Sequence, residues 1–544
     1  EQIYPVVTPL AVDSGHPFPF LANNTINAIV RIFQVQPDGT KDYKIAILPI
    51  PSVLDRIIEV PSSSNKVHRF VYLEDVISYY AIQFFQGYGI EESMIFRLTR
   101  DADLEIDEED AKDLLTEVEA SLRRRRRGDA VRLEVVGAGS PELLRTVLAS
   151  VELEEKDVYH IDGHLDCRMY FDFSNYPGYD NLRYKPFEPK IPSDLIGFEG
   201  ENLLDVIRNR DIFVHHPFES FSVVEQFVAQ AAVDSNVLAI KQTLYRVSGE
   251  SPIIASLIKA ADNGKQVTVL MEVKARFDEE HNITMARRLE KAGCHVIYGL
   301  KGLKTHSKIT MVVRREEDGI RRYVHLATGN YNGKTARIYT DCGIFTCNDE
   351  YGDDASRFFN LISGYSDPPI WNKFIVAPLN LRERIMDLID EEIQCAKRGE
   401  DAYIIAKMNS LLDKKVIAKL YEASANGVRI DLIVRGICTL RPGIAGVSDN
   451  ITVRSIVGRF LEHHRLFYFR NGGNEKIFLS SADWMPRNLN ERVELMIPIE
   501  DKRHKARIKG ILDLYLVDTL KAHLMRSDGS YYKVSNIEGP LSAQ

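Results

Sequence analysis

The stretch Ala260-Ala261-Asp262-Asn263-Gly264-Lys265-Gln266-Val267-Thr268-Val269-Leu270-Met271-Glu272 is echoed by Glu422-Ala423-Ser424-Ala425-Asn426-Gly427-Val428-Arg429-Ile430-Asp431-Leu432-Ile433-Val434. Each copy reads as a helix stopped at Asn-Gly and followed by a buried strand. Upstream, the strand-like Val237-Leu238-Ala239-Ile240 precedes an amphipathic helix from Ile253 to Ala261, the alternation that α/β folds require. Each copy presents an arginine at or just beyond its strand's end, Arg276 or Arg435, and later a histidine-x-cation triplet, His306-Ser307-Lys308 or His463-His464-Arg465. A polar turn follows each triplet: Thr328-Gly329-Asn330 in the first copy and Ser480-Ser481-Ala482-Asp483 in the second. So long an ordered run of matched elements implies duplicated domains.

Around this repeat the chain divides into three. Residues 1–189 alternate strand and helix signals as an α+β head domain, and the proline-rich Tyr184 to Pro192 forms the linker. The duplicated α/β domains occupy 190–367 and 368–544, parted near Ser366-Asp367-Pro368-Pro369. Across 544 residues, 69 basic and 78 acidic side chains leave a net charge of -9, which argues against a general nucleic-acid coat. Six scattered cysteines without a C-x-x-C pair suit a reducing, cytoplasmic setting, and no apolar run has the length of a membrane span. The chain begins at Glu1 with neither a signal peptide nor an initiator methionine and reads as a fragment.

Histidine suits covalent phosphoryl transfer, because neutral imidazole is nucleophilic near neutral pH and its phosphoramidate is reactive enough to pass the group on. A lone H-x-K is usually structural; the repeated one points to chemistry. If the triplet lies on a strand, His306 and Lys308 share a face, so the ammonium can hold a phosphate oxygen beside the attacking nitrogen. His306 is the expected nucleophile. Arg465 replaces lysine in the second copy and Asp483 occupies its turn, so His463 is expected to bind or to assist the leaving oxygen. His464 would face the other way and be structural. Arg246, Arg276 and Arg435, near strand ends, are expected phosphate ligands, and Asn330, Lys334 and Arg337 offer further donors.

Three other features have ordinary readings. Gly329-Asn330-Tyr331-Asn332-Gly333-Lys334-Thr335 has three residues between its glycines where a P-loop needs four. Arg123 to Arg127 end a helix that starts at the acidic run from Asp107, as a helix dipole favours, and read as solvated. His160, His164 and Cys167 have a possible metal spacing but no evident fourth ligand.

Ala275-Arg276-Phe277-Asp278-Glu279-Glu280, Gly302-Leu303-Lys304-Thr305-His306-Ser307-Lys308, Thr328-Gly329-Asn330, Lys334-Thr335-Ala336-Arg337 and Ser480-Ser481-Ala482-Asp483-Trp484-Met485 together closely resemble the bacterial polyphosphate kinases of family 1. The likeness covers nearly the whole chain, from a head domain through two phospholipase-D-like domains. It implies reversible transfer of the terminal phosphate of ATP to inorganic polyphosphate, with His306 as the phosphohistidine. His463, Arg435 and Tyr339 match positions that contact ATP or ADP, and Arg246 and Arg276 match positions associated with Mg2+ and the phosphates. Arginine has no lone pair for a cation, so these two are expected to clamp a magnesium-bound phosphate. The resemblance also implies a homo-oligomer, cytoplasmic or peripheral to the membrane, and an N-terminal helical domain to which nothing before Glu1 corresponds. The competing readings are a phospholipase-D-like phosphodiesterase and a non-catalytic polyanion-binding fragment. Val313 stands where lipid-hydrolysing relatives carry an aspartate, which disfavours the first.

Overall fold

The computed structural model describes residues 2–62, 67–101, 114–125, 128–247, 251–275, 277–364, 367–534 and 539–544. Two compact units result: one of residues 1–107 and 119–186, the other of 187–544 with the described part of 108–118. Arg276 lies outside the described residues, as do the side chains of Arg123 to Arg127, so neither reading of those positions is addressed.

The first unit is α+β. Its six-stranded sheet runs Leu10–Val12, Lys41–Pro49, Ile26–Val35, Gly89–Arg100, Ala130–Val136, Val158–Ile161, antiparallel except for the last pair. Helix Pro141–Val151 starts where the Ser140 hydroxyl accepts the Leu143 amide and proline occupies the first turn. It lays Leu143, Val147 and Leu148 on one face of the sheet, against a core that includes Phe96 and Leu133.

The second unit holds two sheets with one topology. The first has the order His295–Ile297, Gln266–Met271, Val237–Leu244, Ile309–Glu316, Gly319–Ala327, Tyr339–Thr346, with Ile212–His216 also on the last strand. The second repeats it as Ile451–Ile456, Arg429–Val434, Tyr403–Met408, Arg465–Phe469, Lys476–Ser480, Arg492–Pro498, with Ile375–Ala377 on the last strand. In both, three strands are parallel and the hairpin strands beyond them antiparallel. The Asn-Gly steps end helices Pro252–Asp262 and Lys414–Ala425, with Gly264 and Gly427 at φ of 79° and 89°. The duplication read from the sequence is thus a duplication of structure.

One apolar core joins the two sheets: Met311, Val324 and Leu326 of the first pack in the same cluster as Ile405, Leu466 and Leu479 of the second. Helices Asp349–Ser363 and Lys502–Leu516 complete it with Phe358, Phe359, Leu512 and Tyr515.

The halves also trade strands. Lys304–Thr305, from the first half, pairs in parallel with Arg492–Val493 of the second sheet. Reciprocally, Leu461–Glu462 pairs in parallel with Tyr339–Thr340 of the first. Each histidine triplet therefore begins where the chain leaves the other half's sheet and returns to its own.

Candidate active site

That crossing corrects one expectation. Neither His306 to Lys308 nor His463 and His464 lies within a strand, because the chain is passing between sheets at those residues. His306 and Ser307 instead donate their amides to the one Val493 carbonyl, at 2.9 and 3.0 Å. His463 and His464 likewise donate to the Thr340 hydroxyl and carbonyl, at 3.2 and 2.8 Å. Two imidazoles are thus pinned through their backbones to the opposite half.

Their side chains are held across the halves too. His306 Nδ1 lies 2.9 Å from Glu494 Oε2, and Glu494 is fully buried. That carboxylate also accepts from Ser481 Oγ at 2.5 Å and Asn488 Nδ2 at 2.6 Å. His463 Nδ1 lies 2.7 Å from Asp341 Oδ1, which accepts the Thr328 hydroxyl at 2.6 Å. A carboxylate acceptor keeps the proton on Nδ1 and leaves the Nε2 lone pair outward. The polar turns seen in the sequence therefore orient the carboxylates behind the histidines. Gly329 permits this, since a Cβ there would meet Asp341 Cγ at 2.4 Å.

The two imidazoles are set among cations. Burial first, and then Lys308, Arg492, Arg465 and His463, depress His306 well below the ordinary imidazole range, so it is neutral at pH 7. Burial likewise brings Lys308 down to about 7. Its ammonium donates to the His306 carbonyl and lies 5.5 Å from the Tyr245 ring, while that ring meets the His306 imidazole edge-on at 5.1 Å. Arg465 is clamped by Asp483 at 3.2 and 3.0 Å, and its Nη1 stands 3.2 Å from His463 Nε2. Burial alone would raise Asp483, but Arg465, the Asn409 amide and His463 together hold it at about 2. Asp341 is likewise raised by burial and brought below its usual range by His463, Thr328 and Arg465. Glu494 differs: burial outweighs Lys308 and Arg492 and raises it.

Other expected residues fall around this pair. Tyr339 places its ring 5.3 Å from His463. Arg435 is depressed by burial and then by Arg465, and its Nε is buried without a hydrogen-bond partner. Asn330, in the turn beside Gly329, has a buried and unpartnered Oδ1. Arg246 pairs with Asp278 at 2.7 Å and is partly exposed. Lys334 and Arg337 are exposed, flanking a single 3-10 turn at Thr335–Arg337, too short for the helix a P-loop feeds. His160, His164 and Cys167 do not converge: His160 binds the Gly137 carbonyl and His164 stacks on Tyr72.

Sequence reasoning missed Asp341, Glu494 and Arg492. The repeat contained the signal: Asp341 and Glu494 are each the third residue of the strand after the polar turn, Tyr339–Thr346 or Arg492–Pro498. Arg492 begins the second of these strands, matching Tyr339 in the first.

Duplicated sheets that exchange strands and carry two carboxylate-backed histidines define a class: a duplicated α/β protein with a pair of buried histidines set among cations. Its family follows from comparison with known proteins. The chain matches the polyphosphate kinase middle domain over residues 1–173, C-terminal domain 1 over 202–368 and C-terminal domain 2 over 374–544. It is 52% identical to a polyphosphate kinase of Halalkalibacterium halodurans over all of this chain and 77% of that protein. A polyphosphate kinase of Bacillus anthracis is also 52% identical, over 98% of this chain and 76% of its own length. The crystal structure of polyphosphate kinase from Porphyromonas gingivalis superposes with a TM-score of 0.87 at 32% identity, covering all of this chain and 80% of that one. The chain belongs to the polyphosphate kinase family.

Proposed function

We propose that the protein transfers the terminal phosphate of ATP reversibly to inorganic polyphosphate, through a phosphohistidine at His306. The observation that carries this reading is the His306 imidazole, its Nδ1 held by Glu494, kept neutral by burial and by the nearby Lys308, Arg492 and Arg465. Nε2 attacks the terminal phosphorus in line; the bond to the bridging oxygen breaks and ADP departs with its electron pair. The terminal oxygen of a polyphosphate chain then attacks the phosphohistidine and returns the electron pair to Nε2. Because such transfer needs little covalent help, positioning and charge stabilisation do most of the work.

His463 Nε2 accepts from Arg465, so this pair holds the leaving phosphate instead of protonating it. Arg435 and Tyr339 lie on the same side and serve the nucleotide, with Asn330 and Arg246 contributing further phosphate contacts. Mg2+ does not suit a protein-held site here. Glu494, Asp341 and Asp483 are each engaged by neighbouring donors, and no group of carboxylates converges among the described residues. Magnesium therefore arrives as part of the substrate, on the phosphates of ATP. Six free cysteines agree with a cytoplasmic setting, and no described helix is long and apolar enough to cross a membrane.

Incubation with terminally labelled ATP tests the reading. The expected product is an acid-labile, alkali-stable label on His306, discharged by ADP as ATP and lost in His306→Ala. Stable labelling of His306→Ala would overturn the assignment, and binding of polyphosphate without any labelling would indicate a polyanion-binding module.

A further inference from the structure

Behind the catalytic pair lies a second cluster that this chemistry does not use. The strand Tyr339–Thr346 turns Asp341 toward His463 and, by alternation, Cys342 toward the opposite face. Cys342 is the direct cross-strand partner of His215 on Ile212–His216. The strand exchange then delivers His464 to the same place, its ring 5.4 Å from that of His215 at a steep interplanar angle of 83°. The three ligand atoms, two imidazole nitrogens and one sulfur, all lie within 4.8 Å of one another, and among the described residues no other such group converges.

The cluster is buried and unsatisfied. Cys342 and His464 are fully buried and His215 is 8% exposed. Neither nitrogen of His464 nor Nε2 of His215 has a hydrogen-bond partner. Three unpaired buried nitrogens cost roughly 1–3 kcal/mol each, more than an ordinary core tolerates at one spot. Burial, followed by Arg507, His216 and Lys407 for His215 and by Lys407 for His464, keeps both imidazoles neutral, the form that ligates.

We propose that His215, Cys342 and His464 form a binding site for a thiophilic d10 metal ion, a structural site distinct from the two-histidine centre. Binding forms a metal–sulfur bond as the Cys342 thiol proton leaves to solvent, and the two imidazoles donate lone pairs; no electron is transferred. Ligation at ~2.0–2.3 Å requires the three atoms to draw together by up to about 1 Å, within reach of side-chain rotation. Ligand softness limits the ion: one thiolate with two imidazoles suits Cu+ or Zn2+. The nearby ions are engaged elsewhere, Lys407 with Glu462 at 2.8 Å, Arg507 with Glu219 at 2.6 Å and Asp341 with His463 at 2.7 Å. A bound ion would bolt Ile212–His216 and Tyr339–Thr346 to the residue after His463.

Reduced, folded wild-type protein is titrated anaerobically with Cu+ against a chromophoric chelator, and separately with Zn2+, with bound metal counted after desalting. The expected result is one Cu+ or one Zn2+ per chain, release of one proton, and an X-ray absorption spectrum showing one sulfur and two nitrogen ligands. Cys342→Ser should weaken binding by more than the roughly 10–100-fold that loss of an outer-shell partner causes. Absence of stoichiometric binding of either ion, or a spectrum without sulfur in the wild-type protein, overturns the site whether or not the variant folds. None of these readouts depends on kinase activity.

Discussion

On the proposed reading, Lys308 sets the pH response of the histidine pair. Burial depresses it from 10.5 to about 7, so in the free protein its ammonium is lost as pH rises through about 7. A phosphate at the site restores the proton. Apparent ATP affinity should therefore be flat below pH 7 and fall above it by up to about tenfold per unit, with proton uptake visible calorimetrically in buffers of different ionisation enthalpy. Since unfolded lysine keeps its ordinary value, the same shift makes stability rise with pH from about 7 to 10.5. His306 adds no acid limb near neutrality, because its basicity is already suppressed. Glu494→Gln keeps the shape but not the charge behind His306; phosphoenzyme formation in rapid-quench experiments should slow by about 10²–10⁴-fold with little change in KM. His306, Lys308, His463 and Arg465 stood out in the sequence because the repeat shows the triplet twice, whereas Arg492 did not, its counterpart being Tyr339. Asp341 and Glu494 did not either, because each serves a histidine of the other half, and one-dimensional spacing cannot show a bond that crosses halves.

At the scale of elements, the polar turns and short exchanged strands are the working parts. Gly329→Ala would drive a Cβ to 2.4 Å from Asp341 Cγ. The expected outcome is destabilisation of ~1–3 kcal/mol in urea unfolding and a weakened hold on His463, read as a larger loss in ADP-dependent ATP synthesis than stability alone explains. The second turn carries an acid-sensitive lock. Asp483 falls from 3.8 to about 2 in the fold, so its contribution of roughly 2 kcal/mol is present above pH 4 and is lost as pH falls through about 2. Asp483→Asn should flatten the acid limb of the stability curve in that window. The helices ending at Asn-Gly and the strands after them were predictable from local chemistry. The placement of His306 and His463 off their strands was not, since the apolar runs beyond each triplet look continuous until the pairing with the opposite sheet is known.

For the whole molecule, the shared core and traded strands predict that residues 187–544 unfold as one cooperative unit. Asp341→Ala in the first half and Glu494→Ala in the second should lower the same transition by calorimetry, and hydrogen exchange in both sheets should accelerate together. Two separable transitions within this region would contradict that reading. Polyphosphate binding, resting on clustered cations in a protein of net charge -9, should weaken steeply with added salt.

The exchange of Lys304–Thr305 for Leu461–Glu462 has a further consequence. One half alone lacks the carboxylate for its own histidine, so it could be completed only by a second half. Were the two halves identical copies, any substitution would strike both sites at once. With both halves in one chain that constraint is absent. Lysine stands at 308 while arginine stands at 465, and tyrosine at 339 while arginine stands at 492, so each side carries its own chemistry.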